Sequence, residues 1–266
     1  MVATIPVIES SLTTPRVRLI SIDQPWEWLG AGWKDLWRVP SASIAYGLLF
    51  VIMGYMMVYL VEGQFQYALA MTTGFLLAGP FLAMGLYDIS RRLEAGESAT
   101  LGHALTAWRH NALPIFLFGV VIGLLMIVWA RLSAALFAVI VGGRDLSLDS
   151  SAAQIFFSGS GLTFLLVFTV VGAIIAAAVF AISVVSIPMM LDRKTDFITA
   201  ILTSLTAVRA NPAPMALWAV LIVIFTGIGL MTFYLGLAIA LPLIGHATWH
   251  AYRSLVEDSD LEQQPL

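Results

Sequence analysis

The chain contains no cysteine and few charges. The missing cysteines exclude disulfides, thiolate catalysis, iron–sulfur clusters and cysteine-ligated zinc. Charged residues make up 11% of 266 positions, hydrophobic residues 60%, and mean hydropathy is +0.93. Soluble domains run near 25% charged and 45–50% apolar. A soluble fold of this size has too few polar side chains to cover so much apolar surface, so the solvent this composition suits is lipid. The formal charge of −3 provides no basic field for nucleic acid, and none is expected as a partner. Phosphate-binding loops of the Walker type, His-Glu-x-x-His, Gly-x-Ser-x-Gly and Cys-x-x-Cys-His are all absent. Met1–Ser10 has no basic stretch ahead of an apolar one, so no cleavable signal peptide is expected.

What is present is a series of long apolar tracts. A spanning helix needs about 20 mostly apolar residues. Ser41–Val61, Tyr67–Tyr87, Leu113–Ala130 (extending past Arg131 towards Val141) and Gly161–Leu191 each qualify. Pro214–Gly245 is long for one span and short for two.

Three stretches between the tracts repeat apolar residues at helical spacing. They are Trp26, Leu29, Trp33, Leu36 and Trp37; Leu101, Ala104, Leu105 and Trp108; and Phe197, Ile198, Ile201, Leu202, Leu205 and Val208. Glu27, Lys34, Asp35 and Arg38 fall largely elsewhere on the first wheel. Each stretch is predicted to be an amphipathic helix lying in the membrane interface. A tryptophan suits that depth, because its ring is apolar and its N–H seeks water.

The stretches also end alike. Leu105-Thr106-Ala107-Trp108-Arg109-His110-Asn111 and Leu205-Thr206-Ala207-Val208-Arg209-Ala210-Asn211 share Leu-Thr-Ala-x-Arg-x-Asn, and Leu36-Trp37-Arg38-Val39-Pro40 holds the same place before the first span. At the far ends, Pro80, Pro188 and Pro242 are each followed by polar residues: Asp88, Arg91 and Arg92; Asp192, Arg193 and Lys194; and His246, His250 and Arg253. This reads as three repeats, about 24–95, 96–194 and 195–255, each an interfacial helix, a span, a turn and a return span. The expected fold is an all-α integral membrane bundle of six transmembrane helices, three parallel hairpins related by an axis along the membrane normal. Residues 1–23 are expected to be a flexible tail and 256–266 an acidic one. The last turn is placed near Gly227-Ile228-Gly229; five spans is the alternative.

With six spans, Arg16, Arg18, Lys34, Arg38, Arg91, Arg92, Arg109, Arg193, Lys194, Arg209 and Arg253 share one side, leaving Arg131 and Arg144 on the other, so 11 of 13 basic residues lie together. Basic residues in short loops face the cytoplasm. Both termini are therefore expected there, in a multi-pass protein of the bacterial inner membrane.

Arg38, Arg109 and Arg209, with Trp33, Trp37 and Trp108, are the candidates for binding lipid at the interface, since a cation suits a helix C-terminus and a guanidinium can hold a phosphate. Asp88, Arg91, Arg92, Asp192 and Arg193 are read as helix-end ion pairs. His246 and His250, at i and i+4, are weak metal candidates without a clear third ligand; no metal or cofactor is expected. His103 and His110 are read as headgroup-level polar residues, and Arg131 as an arginine snorkelling to the interface. Mid-span polar residues are mostly Ser, Thr and Gly, fewer and weaker than the charged or amide groups of most transporters.

Trp33-Lys34-Asp35-Leu36-Trp37, then Gly79-Pro80 leading to Gly85-Leu86-Tyr87-Asp88-Ile89-Ser90-Arg91-Arg92, then Ile187-Pro188-Met189-Met190-Leu191-Asp192, carry a resemblance. From Ile22 to Leu255 the chain resembles a bacterial family of predicted integral membrane proteins, domain of unknown function 2189. Some members are labelled cytochrome c oxidase subunits. The resemblance implies no activity, and four histidines near interfaces exclude a catalytic haem–copper subunit. The expectation is a non-enzymatic membrane protein that scaffolds or assists assembly of an envelope or respiratory complex, with membrane lipids and a membrane-protein complex as partners. Its contact surfaces would be the Leu132–Ser160 loop and the interfacial helices. A small-molecule or lipid transporter, and a haem- or metal-binding subunit using His246 and His250, are the alternatives.

Overall fold

A computed structural model describes residues 15–60, 65–141 and 158–257. Among these, apart from one isolated bridge between Val17 and Val256, all regular structure is helical. In chain order the helices are α1 (Gln24–Arg38), α2 (Pro40–Leu60), α3 (Phe65–Leu77), α4 (Gly79–Leu82), α5 (Met84–Glu94), α6 (Leu101–Thr106) with a 3₁₀ turn over Ala107–Asn111, α7 (Ala112–Ile140), α8 (Gly159–Ser183), α9 (Ser186–Asp192), α10 (Phe197–Ala210), α11 (Pro212–Met231) and α12 (Leu237–Leu255). Four helical stretches are long and apolar enough to cross a membrane: Pro40–Leu60, Leu101–Ile140, Gly159–Asp192 and Pro212–Met231. Only 11% to 33% of each apolar window is buried inside the protein, so most of that apolar surface faces outward.

Two expected spans are broken rather than continuous. The tract predicted over Tyr67–Tyr87 divides into α3, α4 and α5 around Pro80, and that over Gly161–Leu191 divides into α8 and α9 just before Pro188. A proline removes an N–H and crowds the preceding turn, and the freed backbone groups need other partners. The Tyr46 hydroxyl donates to the Leu82 carbonyl at 2.7 Å. Ser204 donates to the Ala181 carbonyl at 2.7 Å and accepts from the Val185 N–H at 3.2 Å. Beyond each break the chain is fully buried, over Met84–Ser90 and Ser183–Leu191, as is Pro242–Trp249 in α12. These three buried segments pack on one another at the centre of the protein.

The last turn lies later than predicted. Helix α11 runs straight through Gly227 and Gly229, and the chain reverses over Thr232–Gly236, with Phe233 and Tyr234 at φ of 53° and 67°. Gly229 is a packing position: a Cβ there would meet the Leu237 side chain at 2.5 Å. Tyr55 donates to the Phe233 carbonyl at 2.8 Å, and Thr72 bonds the Tyr234 hydroxyl at 3.0 Å, which holds the strained turn.

The amphipathic helices sit on the broken arms. α6 packs on α5, α10 packs on α8 and α9, and α1 packs on α12. The two asparagines of the shared motif act as clamps. Asn111 donates to the carbonyls of Met190 (3.2 Å) and Thr195 (2.8 Å), in the link from α9 to α10. Asn211 accepts from the Ile20 N–H at 2.9 Å and donates to the Arg18 carbonyl at 3.0 Å, in the link into α1. Arg16–Ile20, within the stretch expected to be a flexible tail, is therefore tied down, with Val17 also paired to Val256. Residues 1–14 and 258–266 lie outside the described residues, as does the 142–157 part of the predicted outer loop, whose first residues, Leu132–Ile140, are helical. Asn211→Ala is expected to cost about 1–3 kcal/mol, because buried backbone groups lose their partner, and to speed tryptic cleavage at Arg16 and Arg18 relative to Asn111→Ala. Equal cleavage rates in the two variants would contradict the clamp.

Candidate functional site

Helix α1 presents three faces. Pro25, Trp28, Leu29, Gly32, Asp35 and Leu36 are buried; Trp26, Trp33 and Trp37 are exposed along a second face; Glu27, Lys34 and Arg38 occupy the third. The apolar stripe predicted as one face is thus divided, with Leu29 and Leu36 inward and the tryptophans outward. Asp35, expected on the polar side, lies seven residues past Trp28 and so shares its inward stripe.

Inside, α1, α2, α5 and α12 bring five polar side chains into one chain of hydrogen bonds. Ser43 meets His246 Nε2 at 2.9 Å, Ser90 meets His246 Nδ1 at 2.8 Å, Ser90 donates to Asp35 Oδ2 at 2.7 Å, and His250 Nε2 meets the same oxygen at 2.8 Å. The roles follow in order. Ser90 spends its proton on Asp35 and so accepts from His246 Nδ1–H, which leaves His246 Nε2 to accept from Ser43. Ser43 and His246 are wholly buried, while the side chain of His250 is 27% exposed, so the chain runs from the surface to the centre. Close helix approach makes this possible. A Cβ at Gly32 would sit 2.6 Å from the Ala247 nitrogen, and one at Gly47 would collide with the Ala238 carbonyl. His246 and His250 are therefore joined through Ser90 and Asp35. No group of three or more ligating side chains occurs among the described residues.

Burial works to raise the Asp35 pKa. The bonds from His250 and Ser90 and the field of the two histidines outweigh it and hold the carboxyl below its ordinary value. The carboxylate therefore stabilises the fold above its unfolded pKa of about 3.9, and that contribution is lost as pH falls through the lower folded value. Thermal unfolding in detergent is expected to show an acid loss below pH about 4 that is steeper in the wild type than in Asp35→Asn. Parallel curves would refute the assignment.

Two further polar clusters lie nearby, one at the end of α5 around Asp88 and one where the ends of α5, α9 and α12 meet around Glu94 and Asp192. Asp88, with no exposed surface, takes Arg91 at 2.6 Å on one oxygen and Arg92 at 3.0 Å on the other. Arg92 continues to Glu97 at 3.0 Å, and Arg91 lies 3.2 Å from His110. Tyr252 donates to Asp192 at 2.6 Å and accepts from Arg193 at 3.0 Å, and Arg253 and Trp249 reach Glu94 at 3.0 and 2.8 Å.

Arg38, Arg109 and Arg209 are all exposed, and none forms an ion pair among the described residues. Arg109 lies 5.4 Å from the centre of the Trp108 ring, and Trp33 meets Trp37 edge to face at 5.5 Å. The other two amphipathic helices repeat the sorting seen in α1. Ala104 and Ala107 point inward beneath exposed Leu105 and Trp108, and Ala200, Thr203, Ser204 and Ala207 point inward beneath exposed Ile198 and Leu202. His103 is half-buried at the start of α6. Arg131 is exposed near the far end of α7.

Neither Ser43 nor Ser90 stands out in the sequence as a site residue. Both lie in apolar helices, where serine also serves as a small packing residue.

Residues 67–192, from within α3 to the end of α9, include Asp88, Arg91, Arg92, Asn111 and its target Met190. They match the family model described as predicted integral membrane protein (DUF2189). The protein is accordingly similar to integral membrane proteins, as its outward apolar helices require, and the match carries no link to cytochrome c oxidase. No curated protein matches the chain. No solved structure matches it.

Proposed function

We propose that this protein is a non-enzymatic scaffold of the bacterial cytoplasmic membrane, built from six spans in three parallel hairpins with a cytoplasmic rim of three amphipathic helices. The observation that carries the reading is the sorting of those helices. All three turn small or core residues inward and leave large apolar side chains exposed beside an arginine that forms no ion pair. A soluble protein buries such residues; a helix lying in a membrane interface exposes them to lipid. Trp33, Trp37 and Trp108 then sit at headgroup depth, while Arg38, Arg109 and Arg209 hold phosphates.

The packing order supports the repeat. Each amphipathic helix lies on the return arm that precedes it in sequence, and α1, which has none before it, lies on the last, α12. The Asn111 and Asn211 clamps follow the same rule. This closes three units into a ring whose polar interior spends its hydrogen bonds within itself. Such a centre suits a rigid platform better than a substrate path, and the platform's rim is the surface left for an assembling complex.

Two measurements test this. A reporter fused after Arg253 should read cytoplasmic, and an outside signal would overturn the six-span arrangement. Purified from native membranes in mild detergent, the protein should run in a stoichiometric membrane complex that is weakened by joint replacement of Trp33, Trp37 and Trp108. A monomer that moves a solute across liposomes would instead favour the transporter.

A further inference from the structure

Arg131 belongs to a second, separate feature. A lateral cleft of about 410 Å³ opens between α2, α3 and α7, walled by Met57, Met71, Gly74, Met126 and Trp129, with Arg131 the one charged residue among those lining it. Its volume falls within the range of small-molecule sites, about 300–1,000 Å³. The wall is fixed on one side and adaptable on the other. Trp129 is held by its N–H to Thr73 Oγ1 at 3.0 Å and to the Ala70 carbonyl at 3.3 Å, and it meets Phe168 edge to face at 4.8 Å. Methionines reshape readily around an irregular apolar occupant. Gly74 leaves room: a Cβ there would meet nothing nearer than Met126 at 3.6 Å.

The depth of the charge identifies the occupant. Arg131 lies 19 residues (131 − 112) beyond the start of α7 at Ala112. At about 1.5 Å per residue this is about 28 Å, close to the hydrocarbon thickness of about 30 Å. The guanidinium therefore sits at the headgroup boundary opposite the amphipathic rim, and no carboxylate pairs with it among the described residues. A cation at the mouth of an apolar cleft at that depth complements an anionic headgroup whose hydrocarbon tail runs inward. We propose that this cleft binds one acidic phospholipid of the far leaflet, with its phosphate on Arg131 and an acyl chain between α3 and α7. The inference requires α7 to cross the bilayer and is independent of the scaffold role.

Native mass spectrometry of the full chain in detergent tests it, with phosphatidylglycerol and phosphatidylethanolamine as probes. The wild type should retain one phosphatidylglycerol in preference to phosphatidylethanolamine. Arg131→Gln should weaken retention about tenfold, as loss of one charge-assisted contact does, and Arg131→Lys should restore part of it. Gly74→Leu, which fills the cleft and leaves the charge in place, should also abolish retention. Equal retention of both lipids, or retention unchanged in Arg131→Gln or in a folded Gly74→Leu protein, would overturn the site. Loss on replacing Arg38, Arg109 and Arg209 but not Arg131 would likewise overturn it, while supporting the cytoplasmic rim.

Discussion

Replacing His246 with alanine is expected to be the most damaging single change in the interior, costing about 3–5 kcal/mol of stability. His246 has no exposed surface, and each ring nitrogen meets a serine hydroxyl that is itself buried. Truncation removes the ring from a packed centre and leaves Ser43 without an acceptor and Ser90 without a donor. A buried polar group that loses its partner costs more than the bond was worth. His250→Ala should cost far less, because His250 is partly exposed and water can replace it at Asp35. Ser43→Ala should be intermediate, about 1 kcal/mol. The measurement is the unfolding midpoint followed by tryptophan fluorescence in mild detergent. If His246→Ala and His250→Ala shifted it equally, the buried hydrogen-bond chain would not be a principal support of the fold.

The second large effect is expected at Asp88. Its carboxylate is fully buried and takes one arginine on each oxygen, while Arg91 and Arg92 retain only 21% and 17% of their side-chain exposure. Asp88→Asn keeps the shape but leaves two guanidinium groups half-buried beside each other. Breaking a buried pair by removing one partner costs about 3–5 kcal/mol, and Asp88→Asn breaks two such pairs at once, leaving Arg92 only its Glu97 partner. Removing a single arginine should be milder, since the carboxylate keeps the other. Arg91→Gln and Arg92→Gln added to Asp88→Asn should recover part of the loss, because repulsion between the cations disappears. A triple variant less stable than Asp88→Asn alone would show that the arginines act independently of the aspartate. This cluster joins the end of α5 to Glu97 and to His110, so its loss should also loosen the link from α5 into α6 and the turn that follows it.

Hydropathy made much of the fold readable, and its failures have physical causes. Runs of about 20 apolar residues located α2, α7, α8 and α11 because lipid imposes that length. The same runs concealed the breaks in α3–α5 and α8–α9, since a buried kink repaired by Tyr46 or Ser204 leaves no mark on average hydropathy. The last turn was misplaced because glycine was read as a turn former at Gly229, where the space beside Leu237 is what requires it. Amphipathic spacing located helices α1, α6 and α10 but not which way their faces point: in a membrane protein, an apolar stripe is equally satisfied by the core or by lipid. The tryptophans of α1 turned out, and Asp35 turned in.

The interior site was the least readable part. Residues 35, 43, 90, 246 and 250 come from four helices, and no local pattern links them. The i, i+4 spacing of His246 and His250 correctly put both on one face, but it suggested a shared ion where Ser90 and Asp35 form the connection. Asp88 with Arg91 and Arg92 was visible as a helix-end cluster. Its complete burial was not, because a charge cluster next to an apolar tract normally marks an interface.

The pairing of α1 with α12 bears on the order of synthesis. Asp35 is among the first helical residues made, and its partner His250 follows 215 residues later. Until α12 is complete, Asp35 lacks its His250 partner, the inward face of α1 lacks its principal packing surface, and Val17 lacks its partner Val256. A chain without α12 therefore displays much of the buried face of α1, with Asp35 short of one partner, while a chain that includes α12 hides both. The 19-residue α12 thus converts its own synthesis into a change of surface, which membrane quality-control proteases can read without any dedicated signal.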